Sequence, residues 1–204
     1  MRLYLVRHGE TAWNKLGKVQ GHSDIPLNDY GRHLAKQTAE GLKDVTFDAA
    51  YTSPLARARE TARIILSGRT VPLYDEPRIQ EMGFGVCEGM RCRGENRDPD
   101  SDEFNKFFTD TAGYKVPKGG ESIPEVEKRV QEFLEELYNR EEFTDKTILI
   151  STHGASLTAM LNCIKGETDI SRFWINGVPK NCAVTIVEVR DGKPEILEEG
   201  KVFY

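Results

Sequence analysis

Arg2-Leu3-Tyr4-Leu5-Val6-Arg7-His8-Gly9-Glu10-Thr11 is the stretch from which the fold is read. Leu3 to Val6 form an unbroken apolar run, which suits a short strand buried on both faces, as in a sheet covered by helices. The run ends at once in a cation, an ionisable imidazole and a glycine. Ligands of open α/β sheets lie beyond the carboxyl ends of the strands, where Arg7 and His8 fall. Gly9 permits another backbone or a ligand to come close.

The same plan recurs near the other end of the chain. Thr147 to Thr152, centred on Ile148-Leu149-Ile150, reads as a strand. His153-Gly154 follows, then a helix from Ala155 to about Lys165. Between these repeats, the loop from Ala12 to Tyr30 is long for a plain connection, and Trp13 and Leu27 argue that it is ordered. Leu34, Ala35, Thr38, Ala39 and Leu42 share one helical face behind a cap at Asn28 or Asp29. Phe47 to Thr52 reads as a second strand. Ser53-Pro54 reads as the N-cap and first residue of a helix whose buried stripe is Leu55, Ala58, Ala62, Ile65 and Leu66. Arg57 falls in the first turn of that helix. A cation there opposes the helix dipole, so it is expected to face an anion.

Val71 to Tyr74 reads as a third strand. Ser122 and Glu125 form a capping box, with Pro124 early in the helix; Ile123, Val126, Val130, Phe133, Leu134, Leu137 and Tyr138 line its apolar face. Ala183 to Val189 reads as a strand. The Asp191-Gly192 turn and a last strand, with Pro194 suiting an edge, complete a hairpin. The alternation predicts an α/β three-layer sandwich: a mostly parallel sheet with an antiparallel edge and helices on both faces. From Gly83 to Gly120 the composition turns to Gly, Arg, Asp, Glu and Asn around Phe104, Phe107 and Phe108. This segment reads as a small lid inserted over the site, with those rings as minor core, leaving residues 1–204 as a single domain.

Composition narrows the function. The chain has 204 residues, is 38% hydrophobic and 30% charged, and carries a net charge of −5. An acidic surface disfavours nucleic acid and anionic membranes as partners. There is no transmembrane run, and the apolar start is too short for a signal-peptide core, so the expected location is the cytoplasm. Cys87, Cys92, Cys163 and Cys182 form no C-x-x-C pair, so neither a zinc site nor a disulfide framework is expected. Homo-oligomerisation is left open.

The strand-end residues suit phosphoryl transfer. A phosphoryl group spreads negative charge over three oxygens, which guanidiniums and backbone N–H groups stabilise. Arg7 and Arg57 supply the cations. A neutral imidazole attacks phosphorus and holds the group covalently; His8 is the candidate, and neighbouring cations keep it unprotonated. The leaving alkoxide needs a proton. Glu81 is the candidate acid, in a partly buried position where the substrate's own charge favours the protonated form. Glu76 and Glu88 lie in the same stretch as alternative carboxylates. No step calls for a metal or another cofactor.

Leu5-Val6-Arg7-His8-Gly9-Glu10-Thr11 with Trp13-Asn14 resembles the signature of the histidine phosphatase superfamily, the phosphoglycerate-mutase-like proteins. The resemblance continues through Gln20-Gly21-His22-Ser23-Asp24-Ile25-Pro26-Leu27, Ser53-Pro54-Leu55-Ala56-Arg57-Ala58, Glu81 with Phe84-Gly85 and Glu88-Gly89, Gly120-Glu121-Ser122 and Ser151-Thr152-His153-Gly154. It implies that His8 is phosphorylated, that Glu81 is the acid, and that Arg7, Arg57 and His153 grip the phosphoryl group. Asn14, Gln20 and the backbone at Gly21 and Gly154 match positions that help to hold it. The string Phe84-Gly85-Val86-Cys87-Glu88-Gly89 is similar to the FG-x-W-E-G of α-ribazole phosphatase and broad-specificity phosphatases, with Cys87 where tryptophan is usual. The chain is short where mutases carry a substrate-gripping insertion.

These readings lead to a metal-independent phosphomonoesterase acting on a small phosphorylated metabolite through phospho-His8. The alternatives are a phosphoglycerate mutase and a degenerate phosphate-binding module. Arg91, Arg93 and Arg97 are candidates to read a second anionic group. Cys87 to Arg93 also fits C-x5-R, the spacing of cysteine phosphatases, but no apolar strand precedes Cys87 and Glu88 would repel the anion. His22 and His33 read as surface polar residues.

Overall fold

The computed structural model describes residues 1–204. Six strands form one sheet: β1 (Arg2–Arg7), β2 (Ala49–Thr52), β3 (Leu73–Asp75), β4 (Thr147–Thr152), β5 (Val184–Arg190) and β6 (Lys193–Lys201). Their spatial order is β3-β2-β4-β1-β5-β6. The four strands from β3 to β1 are parallel, and β5 and β6 add an antiparallel edge. Pro194 lies on β6, which pairs on one side only, so its missing N–H is harmless. Asp191 and Gly192 both adopt positive φ, 50° and 72°, the geometry of a tight type I′ hairpin.

The apolar run of β1 is buried on both faces because helices cover both. Leu3 and Leu5, with Ile148 and Ile150 of β4, face α5 (Ile123–Tyr138) and α6 (Gly154–Lys165). Tyr4 and Val6, with Leu149, face the other way, toward Ala62 and Ile65 of α3 (Ala56–Ile65). Helix α2 (Asp29–Gly41) packs beside α3 and is capped by Asn28, whose side chain accepts from the Gly31 N–H. The expected capping box forms at α5, where Ser122 and Glu125 bond reciprocally.

Four sequence expectations need correction. The second strand is Ala49–Thr52, not Phe47 to Thr52. The third strand is Leu73–Asp75, not Val71 to Tyr74. The long loop contains a turn of helix, α1 (Ala12–Lys15), with a capping box between Thr11 and Asn14. Helix α3 starts two residues later than read, with Leu55 at the cap and no side-chain bond there. Ser53 lies two residues before that cap; its hydroxyl accepts from the Leu55 N–H at 3.2 Å and is also used at the site described below.

The segment from Gly83 to Gly120 holds α4 (Ser101–Thr109). Phe104 and Phe107 of α4 pack with Phe84 into the larger core cluster, and the Trp174 indole N–H donates to the Phe107 carbonyl at 2.8 Å. Main-chain bonds between Val19 and both Met90 and Gly89 stitch this segment to the loop after α1.

Candidate active site

The strand order creates the site. Strand β4 lies between β1 and β2, and all three run parallel, with Arg7 opposite Thr152 and Thr52 opposite Ser151. Residues just past the three carboxyl ends therefore meet: His8, Ser53 and His153. The rings of His8 and His153 are 5.0 Å apart.

His8 is buried, and its Nδ1 lies 2.6 Å from the Gly9 carbonyl. A carbonyl only accepts, so Nδ1 carries the proton and Nε2 keeps its lone pair. Burial, then the charges of Arg57 and Arg7, push this imidazole well below its usual pKa of 6.5. The main chain around it is tightly held. Its N–H donates to Thr152, its carbonyl accepts from the Asn181 side chain, and the Gly9 N–H donates to the Thr61 hydroxyl. Gly9 has no room for a side chain: a Cβ there would sit 2.6 Å from the Gly31 carbonyl oxygen.

Arg57 is fully buried. Its Nη groups donate to the carbonyls of Gly21 and Ser23 at 2.7 and 2.8 Å, and its Nε donates to His153 Nδ1 at 3.2 Å. The His153 proton is therefore on Nε2, which donates to Ser53 Oγ at 2.7 Å. Burial first, then Arg57, hold His153 well below 6.5. Burial also lowers Arg57 to about 10, which leaves it charged at neutral pH. Arg7 donates through Nη1 to the Pro179 carbonyl at 2.5 Å, while its buried Nε has no partner.

Glu81 caps α6 from outside that helix. Its carboxylate accepts from the N–H groups of Gly154, Ala155 and Ser156 at 3.0, 3.1 and 3.2 Å, and from its own neighbour Met82 at 2.9 Å. The N-terminal N–H groups of a helix need such an acceptor, and His153 at the cap position supplies none. Of the three carboxylates considered, Glu81 alone lines the cavity. Glu76 pairs with Arg78, and Glu88 accepts from the N–H groups of His22, Ser23 and Phe84.

The cavity, about 110 Å³, is lined by Arg7, His8, Asn14, Gln20, Gly21, Glu81 and Gly154 among others. Arg57 and His153 lie in the layer beneath it. The side-chain oxygens of Asn14 and Gln20 accept from Thr11, which leaves both NH2 groups free on cavity-lining residues. The Gly154 N–H is taken by Glu81.

The lid segment supplies the outer wall: Phe104, Phe107, Phe108 and Arg93, with Lys18 and Trp174 from other segments. Those phenylalanines are thus core and wall together. Of the three candidate arginines only Arg93 reaches the cavity. Arg97 pairs with Asp102 at 2.8 Å. Cys87 is off the cavity, and burial raises its thiol, so the cysteine-phosphatase spacing has no site to serve. The sequence reading missed Ser53, Thr61 and Asn181 as supports of the two histidines. His22 lies at the surface, as expected, and its Nε2 also lies 2.9 Å from the Glu81 carbonyl, a contact the sequence gives no sign of.

A doubly covered sheet that presents a neutral imidazole beside buried guanidiniums at its strand ends is the architecture of a phosphoryl-group enzyme. The model of the histidine phosphatase superfamily, branch 1, matches residues 3–201. Phosphoserine phosphatase 1 of Hydrogenobacter thermophilus is 32% identical over 97% of this chain and 91% of its own length. Adenosylcobalamin/alpha-ribazole phosphatase of Salmonella typhimurium is 37% identical over 79% of this chain and 78% of its own. The solved structure of Bacillus stearothermophilus YhfR superposes with a TM-score of 0.88 at 34% identity, covering 98% of this chain and 97% of that one. Relatives named probable phosphoglycerate mutase occur at similar identity. The chain belongs to the histidine phosphatase superfamily, and its enzyme class is phosphatase. No helix is long and apolar enough to cross a membrane.

Proposed function

We propose that this phosphatase is a metal-independent phosphomonoesterase that hydrolyses a small phosphorylated metabolite through phospho-His8. The observation that carries the reading is the fixed tautomer of His8. Its Nδ1 proton is committed to the Gly9 carbonyl, so Nε2 is a free lone pair on a cavity-lining residue. Arg7, with its unpartnered buried Nε, lines the same cavity.

In the first step His8 Nε2 attacks phosphorus, a P–N bond forms and the ester P–O bond breaks. Glu81 gives the leaving oxygen its proton. In the second step the Glu81 carboxylate takes a proton from water, which attacks the phosphohistidine; the P–N bond breaks and phosphate leaves. The charge on the three equatorial oxygens meets Arg7, the NH2 groups of Asn14 and Gln20, and, from below, the charge of Arg57, which His153 helps to hold in place. These cations and N–H donors supply the stabilisation that a metal provides in other phosphatases.

The test is hydrolysis of an aryl phosphate in EDTA by the wild type and by His8→Ala. Activity that survives EDTA and vanishes in His8→Ala is the expected result. Loss in EDTA alone would overturn metal independence. Turnover of 3-phosphoglycerate only, dependent on a bisphosphate primer, would move the protein to the mutases.

A further inference from the structure

We propose that His22, together with Arg129, is a positioning residue for Glu81, holding the acid's main chain so that its carboxyl meets the leaving oxygen. This rests on the reading of Glu81 as the acid. Glu81 lies in an irregular stretch between the 3-10 turn Pro77–Ile79 and Gly83, with no strand or helix to fix its backbone. Its side chain is held at one end by α6. Its carbonyl is held by two side-chain donors, His22 Nε2 at 2.9 Å and Arg129 Nη2 at 3.1 Å. A carbonyl only accepts, so the His22 proton on Nε2 is committed to Glu81.

The two donors are locked to each other through Glu121. Its carboxylate accepts from Arg129 at 3.0 and 3.1 Å and from the Gly83 N–H at 2.8 Å, and it lies 3.5 Å from His22 Nε2. Burial works against this carboxylate's charge, but the nearby His22 imidazole and the hydrogen bonds from Arg129 and Gly83 outweigh it and hold it at about 2. Gly83 lets the imidazole close in, since a Cβ there would stand 3.1 Å from the ring. The other charged group near the ring is Glu88, whose carboxylate accepts from the His22 N–H at 2.9 Å.

The loop that carries His22 also carries the carbonyls of Gly21 and Ser23, which hold Arg57. One short loop therefore sets the spacing between a phosphoryl-binding cation and the acid. A general acid works only within hydrogen-bond reach of its target, so a small shift of Glu81 weakens proton donation without touching the nucleophile.

Leaving-group dependence separates this role from general loosening. An alkyl phosphate needs its leaving oxygen protonated; 2,4-dinitrophenyl phosphate does not. His22→Ala is expected to lose about tenfold in kcat on glycerol phosphate and less than about threefold on the dinitrophenyl ester, while His22→Gln, which keeps a donor, recovers most of the loss. Arg129→Lys, a milder change should His22→Ala fold poorly, is expected to show the same selectivity. Glu81→Gln serves as the reference and is expected to show the selectivity at larger size. An equal loss on both esters, or no loss, in both His22→Ala and Arg129→Lys overturns the positioning role while Glu81→Gln still shows the selectivity. If Glu81→Gln shows none, the acid assignment falls, and this inference with it.

Discussion

Two buried histidines and one half-exposed histidine in this site differ in what their ring nitrogens touch. His8 and His153 each have a nitrogen that must carry the proton, toward Gly9 and Ser53, and guanidiniums stand close by. Both are held below 6.5, by burial first. His22 is raised above 6.5 by the Glu121 carboxylate 3.5 Å from its Nε2, against the effect of burial. NMR titration of the ring protons is expected to give a midpoint above 6.5 for His22, with His8 and His153 still neutral at pH 6.5. A midpoint for His8 at or above 6.5 would count against the neutral nucleophile. The unfolded chain takes up protons at His8 and His153 near pH 6.5 and the folded chain does not, so stability falls as pH drops below 6.5. Arg93 lies over the Phe108 ring at 4.5 Å on the cavity wall. Arg93→Ala is expected to raise KM roughly tenfold for an ester whose leaving group carries a carboxylate, and to change KM little for phenyl phosphate. Equal effects on both esters would remove Arg93 from substrate recognition.

Elements fix where those residues stand, and the junctions between them are tight. The strand-to-loop turn at Gly9 lies against Gly31 in the first turn of α2. Gly9→Ala is expected to cost about 1–3 kcal/mol, read as a lowered urea midpoint, because its methyl would press on the main chain of Gly31, which cannot rotate aside. Helix α6 leaves its first N–H groups to Glu81, seventy-odd residues back in the chain. The 3-10 turn before Glu81 and the N-terminus of α5 are joined through Glu121 and Arg129. The Glu121 carboxyl sits at about 2 when folded, against the usual 4.5. Its contribution is present above about pH 4.5 and is lost as pH falls toward 2. Comparing urea midpoints at pH 3 and pH 6, Glu121→Gln is expected to show a smaller acid loss than the wild type. An unchanged acid loss would place that sensitivity in other groups.

At the scale of the whole molecule, the floor and the wall of the cavity come from different layers. The floor is the carboxyl edge of β1, β4 and β2. The wall is the segment after Gly83, whose rings also belong to the larger core cluster. Phe107 is 1% exposed and touches both cavity and core. Phe107→Ala is expected to lower stability by about 3–5 kcal/mol and to raise KM together, because one ring serves both purposes. A stable variant with unaltered KM would show that the wall forms without it.

What the sequence determined by itself is what short-range periodicity encodes. An apolar run without alternation marks a strand covered on both faces; a stripe at helical spacing marks one buried helix side; Ser122 with Glu125 marks a helix start. Each depends on residues within about one turn of one another, so the pattern carries the information. Arg7-His8 and His153 stood out because each follows such a strand directly. Only the tertiary structure decided which carboxylate of three faces the site, which arginine of three reaches the cavity, that Ser53 holds His153 as well as the Leu55 N–H, and which ring nitrogen of each histidine carries its proton. Each outcome depends on a partner brought near by the strand order: Glu81 on α6, Ser53 on His153, His22 on the Glu81 carbonyl. A local pattern records how much a residue is buried, while the identity of its neighbour is set by the crossing of elements distant in the chain.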